Sequence, residues 1–291
     1  MVSAALRISD NHGHANPVRG LGPREVARRF RRTGGWFMVL VSLLTWDLGL
    51  TPGSMSSVER LYEITTRSAQ EASGEGVRAV AVVGLHPAEC VRLIEAGWGF
   101  EEVRGFMYRS IDLAARYITE GRAVGIGEVG RPHWQVDGRI IELCNDIIRY
   151  AVERAKDVGG VVHLHLERNG RATVESISRL ANEANVDWGF RRRIILHHAS
   201  PDMVKPAVEH GLTASIPIGR RGEFEEAIRN GAVFVVESDY IDDPRRPGAV
   251  IPQWRIAARV MDLLRRGVVD EGAVEKIMVD NIVELYGVEC C

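Results

Sequence analysis

The 291-residue sequence contains only four cysteines, and their positions exclude two common uses of this residue. Cys90 and Cys144 stand alone, while Cys290 and Cys291 are adjacent at the end, so none shows the spacing of a zinc motif. A small secreted domain held by disulfides would carry cysteines more densely. We therefore expect reduced cysteines in a cytoplasmic protein, with the terminal pair as two thiols on a frayed tail.

An excess of charge of one sign is also missing. The 37 basic and 39 acidic residues give a formal net charge of −2, which provides no overall attraction to nucleic acid or to membranes. The apolar segment 36–50 is short and contains Asp47, so it does not predict a membrane span. The first residues lack the pattern of a signal peptide. With 45% hydrophobic residues, the composition is that of an ordinary globular protein.

Short apolar segments alternate with amphipathic segments along the whole chain. Eight apolar segments predict β-strands, at residues 6–10, 36–42, 77–85, 123–128, 161–166, 193–197, 213–216 and 233–239. The amphipathic segments predict helices, at residues 23–33, 57–72, 88–96, 108–120, 138–158, 172–185, 201–209 and 223–229, with two more at 253–266 and 271–279. Residues 97–107 predict a loop or an extra turn.

This alternation predicts the fold class. Strands that are apolar on both faces and separated by helices are typical of parallel sheets. Eight such units in about 250 residues match a closed (β/α)8 TIM barrel of the α/β class, with the last two helices added outside it. No linker divides the sequence, so we expect a single domain over residues 1–291.

Histidines and carboxylates lie where the predicted strands end. His12 and His14 follow the first strand, and residues two apart in an extended chain face the same side. Later strands end in the same way: at Glu128, His165, His197 and Asp239. Because the active site of a TIM barrel lies at the carboxyl ends of its strands, these six residues predict a metal site there.

The size of this set predicts more than one ion. Four histidines and two carboxylates exceed the ligands of one four-coordinate zinc and suit two divalent ions ~3.5–4 Å apart. Glu128 is suited to bridge them. A carbamylated lysine would be another bridging ligand, but Lys156 lies in a predicted helix and is not expected to serve as one. Zinc, manganese, nickel, iron and magnesium are not distinguished by these ligands.

Two further residues share a strand face with a predicted ligand. His163 lies on the face of His165 and is either a support for the ligands or a core histidine. Glu237 lies one layer below Asp239, where it would accept the second N–H of a ligand histidine or form a simple salt bridge.

Four histidines leave alternatives open. His86 would either contact substrate or cap the following helix, and His133 lies in a loop from which it would contact the ligand. His197 and His198 face opposite sides of an extended strand, so only one of them is expected to join the site.

Two arginines after Asp239 are candidates for binding a substrate phosphate. Arg245 and Arg246 would offer forked donors to the phosphate, or would pair with Asp242 and Asp243 and fix the loop. Both interpretations remain open at this point.

Together these motifs resemble the TatD-type metal-dependent hydrolases of the amidohydrolase superfamily, and more closely their archaeal TatD-related branch. The motifs are Asp10-Asn11-His12-Gly13-His14, Gly84-Leu85-His86-Pro87, Gly127-Glu128-Val129-Gly130, His163-Leu164-His165-Leu166-Glu167, His197-His198-Ala199-Ser200-Pro201, Glu237-Ser238-Asp239 and Asp280-Asn281. The resemblance implies that His12 and His14 bind one metal with Asp239. It also implies that Glu128 bridges and that His165 and His197, rather than His198, bind the second metal.

Two positions differ from the family pattern. Glu167 stands where the family usually has arginine, two residues after the histidine of the fifth strand. The glutamate motif continues as Val129-Gly130-Arg131, where the family usually has Gly-Leu-Asp. These differences bear on deoxyribonuclease activity and leave the metal ligands intact.

The resemblance implies a metal-dependent hydrolase. We expect a metal-bridging hydroxide as the nucleophile and Asp239 as the residue that orients it and accepts its proton. The expected substrate is a phosphodiester, either a small molecule or a nucleic acid. The alternatives are hydrolysis of a small amide, lactone or phosphotriester, and a metal-binding protein without activity.

Overall fold

The structure is a computed structural model that describes residues 6–245 and 251–290. Nine strands lie within these residues: β1 (Ile8–His14), β2 (Gly35–Val41), β3 (Arg78–Val83), β4 (Gly125–Gly130), β5 (Val161–His165), β6 (Ile194–Leu196), β7 (Thr213–Pro217), β8 (Val235–Glu237) and β9 (Tyr240–Ile241). They form one parallel sheet in which β1 to β8 are neighbours in sequence order and β9 lies beside β1. The eight predicted strands are confirmed.

The sheet curls until its two ends meet. β9 comes directly after β8 and pairs with β1, with Gly13 opposite Tyr240. The backbone N–H of Asp239 donates to the carbonyl oxygen of His12 at 3.0 Å, and that of Ser238 donates to Asp10 Oδ1 at 2.8 Å. These bonds bring the end of β8 to β1, and the predicted (β/α)8 barrel is confirmed.

Helices follow the strands and, apart from the last one, pack on the outside of the sheet. Their bounds are α1 (Pro23–Arg32), α2 (Met55–Ser73), α3 (Pro87–Glu95), α4 (Phe100–Thr119), α5 (Gly138–Val158), α6 (Arg171–Glu183), α7 (Trp188–Arg191), α8 (Val204–Glu209), α9 (Glu223–Ala227), α10 (Ile256–Arg265), α11 (Glu271–Glu275) and α12 (Asn281–Tyr286). The prediction of a loop at 97–107 is wrong from residue 100 onwards. Val103, Phe106 and Met107 are buried at helical spacing and begin the apolar face of α4.

A small apolar cluster fills the barrel below the carboxyl ends of the strands. Its members come from five strands: Phe37, Val82, Val161, Ile195 and Val235. α12, which the sequence patterns did not predict, packs against this cluster through Ile282 and Leu285. The ring of Tyr286 consequently lies 5.0 Å from that of Phe37, and its hydroxyl reaches the polar layer above the cluster.

The cysteines lie away from the strand ends. Cys90 and Cys144 are buried free thiols. The side chain of Arg7 donates to Cys290 Sγ at 3.4 Å, whereas Cys291 lies outside the described residues. The expectation of a frayed terminal pair therefore remains a prediction.

Candidate metal centre

Two histidines of β1 point into the site. β1 continues to His14, beyond the end predicted at residue 10, and the side chains of His12 and His14 face the same carboxylate, Glu128. The Nδ1 atom of His14 lies 3.0 Å from the carbonyl oxygen of Val41. Because a carbonyl only accepts hydrogen bonds, this nitrogen carries the proton and Nε2 presents a lone pair to the site.

Glu128 lies between two pairs of histidines. Its Oε1 atom is 3.4 Å from His12 Nε2 and 3.5 Å from His14 Nε2. Its Oε2 atom is 2.9 Å from His165 Nδ1 and 3.4 Å from His197 Nε2. A bulge between Ile126 and Val129 in the pairing of β4 with β5 holds the carboxylate in this place. One oxygen therefore faces each pair, as a bridging carboxylate requires.

The second nitrogens of His165, at the end of β5, and of His197, just after β6, also have partners. His165 Nε2 lies 2.7 Å from His133 Nδ1, and His197 Nδ1 lies 3.0 Å from Glu237 Oε2. On the other side of its ring, His197 Nε2 lies 3.7 Å from Asp239 Oδ1. The structure thus brings together all six predicted ligands and places His133 and Glu237 behind two of them.

His198 joins the site as well, which corrects the expectation that only one of the adjacent histidines would do so. β6 ends at Leu196, and His198 adopts a left-handed backbone conformation with φ 41°, so the alternation of a strand does not apply. Its Nε2 atom lies 3.2 Å from His165 Nδ1. Its backbone N–H donates to Glu237 Oε1 at 2.8 Å.

His86 caps the following helix, which is one of the two roles that the sequence left open, and it also lines the cavity. Its contact with substrate stays a prediction. Its Nδ1 atom accepts a hydrogen bond of 3.0 Å from the backbone N–H of Ala88 and so caps α3. Because that nitrogen accepts, the proton of the neutral ring is on Nε2, which points to His165 Nδ1 at 3.2 Å. His86 is therefore a hydrogen-bond donor in the cavity and not a free metal ligand.

Burial determines the charge of the imidazoles. It lowers the pKa of four of them well below the ordinary value: those of His86, His163, His197 and His198. Neutral imidazole is the form that binds metals. Burial also raises the pKa of Asp239 to about 6. For Glu128 burial acts in the same direction, but the facing rings of His197 and His12 outweigh it and hold that pKa well below its usual range.

The donor set fits divalent cations. His12 Nε2 is buried and, among the described residues, has no hydrogen-bond partner although it faces a carboxylate. A buried nitrogen of this kind needs a ligand to offset its desolvation. Buried imidazole and carboxylate groups meet in several combinations here, including His12 with His14 and Glu128. Mixed nitrogen and oxygen ligands of this type are common for zinc and other transition metals.

The two departures from the family pattern contact each other. Arg131 forms a bidentate ion pair with Glu167, with distances of 2.9 Å and 2.7 Å. Arg131 also donates to Asn145 at 3.1 Å and to Ser176 at 3.0 Å. The positive charge of Arg131 is therefore neutralised by Glu167. Of these two residues, Glu167 is the one that lines the cavity.

A cavity of about 630 Å³ opens above the site. Trp134 and Arg168 lie on its wall, and Arg168 is paired with Glu223 at 2.5 Å. Arg220 lies on the same wall, and among the described residues its ion-pair contact is a loose one of 3.9 Å to Glu223. Sequence reasoning missed Arg220, because it lies in a loop after β7 and belongs to none of the recognised motifs.

Of the two predicted phosphate-binding arginines, Arg245 has a guanidinium nitrogen 4.0 Å from Asp47, a residue of the cavity wall. Arg245 is bound to Asp243 at 2.6 Å and is not among the described residues that line the cavity. The described geometry is that of the loop-fixing alternative. Arg246 lies outside the described residues.

The sequence matches a known family over most of its length. The model of the TatD related DNase family covers residues 9–287. The chain belongs to the TatD-related DNase family. An uncharacterized protein of Methanocaldococcus jannaschii is 32% identical over 289 residues, which are 99% of this chain and 98% of that protein. The family inferred from the motifs is confirmed, and it is a family of hydrolases.

Solved structures show the same barrel. A TatD homolog from Escherichia coli has a TM-score of 0.65 at 16% identity, covering 98% of this chain and 100% of that one. An organophosphorus hydrolase from Deinococcus radiodurans has a TM-score of 0.62 at 17% identity, covering 99% of this chain and 94% of that one. At these identities the likeness concerns the fold.

No helix within the described residues has the length and apolar character needed to cross a bilayer.

Proposed function

We propose that this member of the TatD-related DNase family is a hydrolase that depends on one or two divalent metal ions. The position of Glu128 carries the proposal, because one carboxylate oxygen faces His12 and His14 while the other faces His165 and His197. When bound, the ions would lower the pKa of water and polarise the bond to be cleaved.

The surrounding residues would hold these ligands and move one proton. Asp239, at the mouth beside His197, would orient the attacking water and accept its proton. In the metal-free protein, burial raises the pKa of this carboxylate to about 6, above its ordinary value of 3.8. A raised pKa of this kind favours proton transfer to a general base near neutral pH. His133 and Glu237 would fix the rings of His165 and His197 from behind.

For the substrate we propose a phosphodiester, either a small molecule or a segment of nucleic acid. The family description supports this class, and Arg220 offers a guanidinium on the cavity wall for a phosphate oxygen. Asp239 lines the same cavity, where the positive charge of Arg220 opposes the effect of burial on the Asp239 pKa. A phosphate held by Arg220 would therefore lie close to the proposed base.

A second candidate is a small neutral ester or lactone. Arg131 and Arg168 are both engaged in ion pairs, which leaves few cations on the cavity wall to grip a polyanion. A cavity of about 630 Å³ has the size typical of small-molecule sites.

One screen tests both candidates. The metal-free protein is supplied in turn with zinc, manganese, nickel, iron and magnesium, and is assayed on phosphodiester, amide and lactone substrates and on DNA at low salt. Asp239→Asn serves as the inactive variant, and Asp112→Asn, an exposed carboxylate paired with Arg154, serves as the matched control. Hydrolysis of a phosphodiester that requires metal and Asp239 supports the proposal. Bound metal without any turnover across the panel would contradict it.

Two further proposals concern the domain organisation and the location of the protein. We propose that residues 1–291 form a single domain, because strands from both ends of the described chain share one sheet. We propose a cytoplasmic location, supported by the two buried free thiols Cys90 and Cys144. Fractionation of cells expressing the protein would test the location.

A further inference from the structure

A chain of hydrogen bonds runs beneath the candidate metal centre and begins at His12. His12 Nδ1 lies 3.1 Å from His163 Nδ1, and His163 Nε2 lies 2.9 Å from the hydroxyl of Tyr286. That hydroxyl lies 2.7 Å from Asn11 Oδ1. The chain thus leads from β1 through β5 to α12 and returns to β1.

The same chain continues from Asn11 to the other side of the centre. Asn11 Nδ2 donates to Ser215 Oγ at 3.1 Å, and Ser215 Oγ donates to Glu237 Oε2 at 2.5 Å. Glu237 Oε2 lies 3.0 Å from His197 Nδ1. Seven side chains, six of them from five elements and one from the segment after β6, therefore connect the rear nitrogens of two predicted ligands.

Most side chains in this chain of hydrogen bonds are buried, so their partners are other groups of the protein. Asn11, His12, His163, Ser215 and Glu237 are all 0% exposed, so bulk water does not supply alternative partners for these five side chains. Tyr286 is half-buried as a residue, and its hydroxyl is held between His163 Nε2 and Asn11 Oδ1. Buried polar groups are nearly always hydrogen-bonded, and each group here has a fixed number of hydrogens to give. The direction of every bond is then set by a group whose role is unambiguous.

Glu237 is that group. Ser215 Oγ lies 2.5 Å from one of its oxygens, a distance typical of a hydroxyl that donates to a carboxylate, and the backbone N–H of His198 donates to the other oxygen at 2.8 Å. Burial raises the pKa of Glu237 well above its usual range, so the short contact with Ser215, rather than the pKa, assigns the acceptor role to Glu237. Ser215 must therefore spend its one hydrogen on Glu237 and accept from its other neighbour. That neighbour is Asn11, whose NH₂ group is consequently the part that faces Ser215.

The rest of the direction follows step by step. With its NH₂ group facing Ser215, Asn11 turns its oxygen to Tyr286, which must donate its single hydrogen there. Tyr286 then accepts from His163, so the proton of neutral His163 is on Nε2 and its Nδ1 accepts. His12 must therefore carry its proton on Nδ1, which leaves His12 Nε2 as the lone pair that faces Glu128.

We infer that Tyr286 and His163 are positioning residues that fix the metal-binding tautomer of His12, with the direction set by Asn11, Ser215 and Glu237. The inference rests on the proposed metal centre, because the tautomer of His12 matters for function if His12 binds a metal. The hydrogen bonds themselves do not depend on that proposal. Groups behind a ligand histidine typically change metal affinity by about 10- to 100-fold when they are removed. Loss of the Tyr286 hydroxyl should therefore weaken metal binding at this centre by about tenfold.

The decisive measurement uses metal-free protein with ¹⁵N-labelled histidine. Long-range ¹H–¹⁵N correlation shows which ring nitrogens carry protons. In the wild-type protein we expect protons on Nδ1 of His12 and on Nε2 of His163. Protons on the opposite nitrogens would overturn the inference without any variant, so a variant that fails to fold does not leave it untested.

Tyr286→Phe then removes the relay. We expect His12 to become a mixture of both tautomers and zinc affinity, measured by competition with a chelator, to fall about tenfold. Tyr62→Phe is the matched control, because Tyr62 is a buried tyrosine whose hydroxyl donates to the carbonyl oxygen of Ser110 at 3.2 Å, away from the described site. It should leave both readouts unchanged.

The outcomes separate this inference from the proposed function. An unchanged His12 spectrum in Tyr286→Phe would overturn the relay, whatever the activity of the protein. The expected spectra in a protein that binds no metal and hydrolyses no substrate would support the relay and contradict the metal-dependent hydrolase.

Discussion

Asp239 occupies a backbone position that few residues adopt. It lies just beyond β8 in the left-handed region, with φ 50°, and its N–H is bonded to the carbonyl oxygen of His12 at 3.0 Å. Such conformations cost of order 1–3 kcal/mol and often occur at functional sites. Here the conformation holds the carboxylate at the mouth of the cavity, 3.7 Å from His197 Nε2.

Asp239→Asn should abolish turnover while leaving the fold intact. The amide has nearly the same volume but does not accept the proton of the attacking water, and loss of a general base typically lowers kcat by 10²- to 10⁴-fold. The measurement is kcat on a verified substrate, with circular dichroism as the check on folding. A variant with wild-type kcat would show that Asp239 has no part in proton transfer.

Arg245→Gln tests whether this arginine fixes its own loop. Hydrogen bonds from Arg245 lower the pKa of Asp243 to about 2, below the ordinary value of 3.8. The stabilisation from a depressed carboxyl pKa is present above the unfolded-state value and is lost as the pH falls through the folded-state value. In the variant the pKa of Asp243 should rise toward 3.8, as measured by NMR of the carboxyl carbon. A pKa that stays near 2 would contradict the ion pair.

Arg220→Gln tests the substrate charge at the cavity wall. If Arg220 binds phosphate, its loss should raise KM for an anionic substrate about tenfold and leave KM for a neutral substrate nearly unchanged, since charged hydrogen bonds contribute about 1.5–3 kcal/mol. Arg154→Gln is the matched control, because Arg154 is paired with Asp112 and is not among the described residues that line the cavity. Equal changes for both substrates would show that Arg220 only shapes the wall.

At the scale of elements, one ion pair joins the ends of two strands to two helices. Arg131 follows β4 and Glu167 follows β5. The guanidinium of Arg131 also donates hydrogen bonds to Asn145 of α5 and to Ser176 of α6. Gly130 lies next to this pair, where an added Cβ would meet the carbonyl oxygen of His165 at 1.9 Å. The close approach of β4 to β5 therefore depends on a glycine at this position.

Arg131→Met should destabilise the protein by about 2 kcal/mol, because it leaves Glu167 without its cation in a site that is only partly exposed. The free energy of unfolding in urea is the measurement. Arg154→Met, which breaks an exposed pair with Asp112, should cost less than about 1 kcal/mol. Adding Glu167→Met to Arg131→Met should recover stability, and a further loss would contradict the ion-pair account.

The sequence predicted the elements well because the signals for strands and helices are local. Alternating apolar segments located all eight barrel strands, and the spacing of His12 and His14 placed both on one face of β1. Local signals failed for residues that follow the end of a strand, because the alternation of side chains no longer fixes their orientation there. His198 turns inward only because β6 has ended.

Contacts between distant residues were equally hidden from the sequence. Tyr286 reaches His163 across 123 positions and Asn11 across 275, and nothing near Tyr286 marks it as polar support for a metal site. Asn11 was visible in the first motif, but its partners were not. Arg131 and Glu167 were noticed as departures from the family pattern, whereas their pairing needed the three-dimensional structure.

For the whole molecule, the candidate centre is a junction between parts of the barrel. The facing ligands come from β1, β4 and β5 and from the segments after β6 and β8. Without a cation, buried imidazoles and carboxylates meet there with imperfect partners, and His12 Nε2 has none among the described residues. A bound ion would connect these segments to one another and stabilise the folded state over the unfolded state.

Metal loading should therefore raise the melting temperature. At a free metal concentration a thousandfold above Kd, linkage gives about 4 kcal/mol, which corresponds to roughly 10 °C for a chain of this size. Calorimetry of metal-free and reloaded protein, together with elemental analysis, is the measurement. The double variant His12→Ala with His14→Ala should show neither the metal nor the shift, whereas His210→Ala, whose ring lies beside Ser178, should show both. Equal metal content in the double variant and in the wild-type protein would place the metal at other residues.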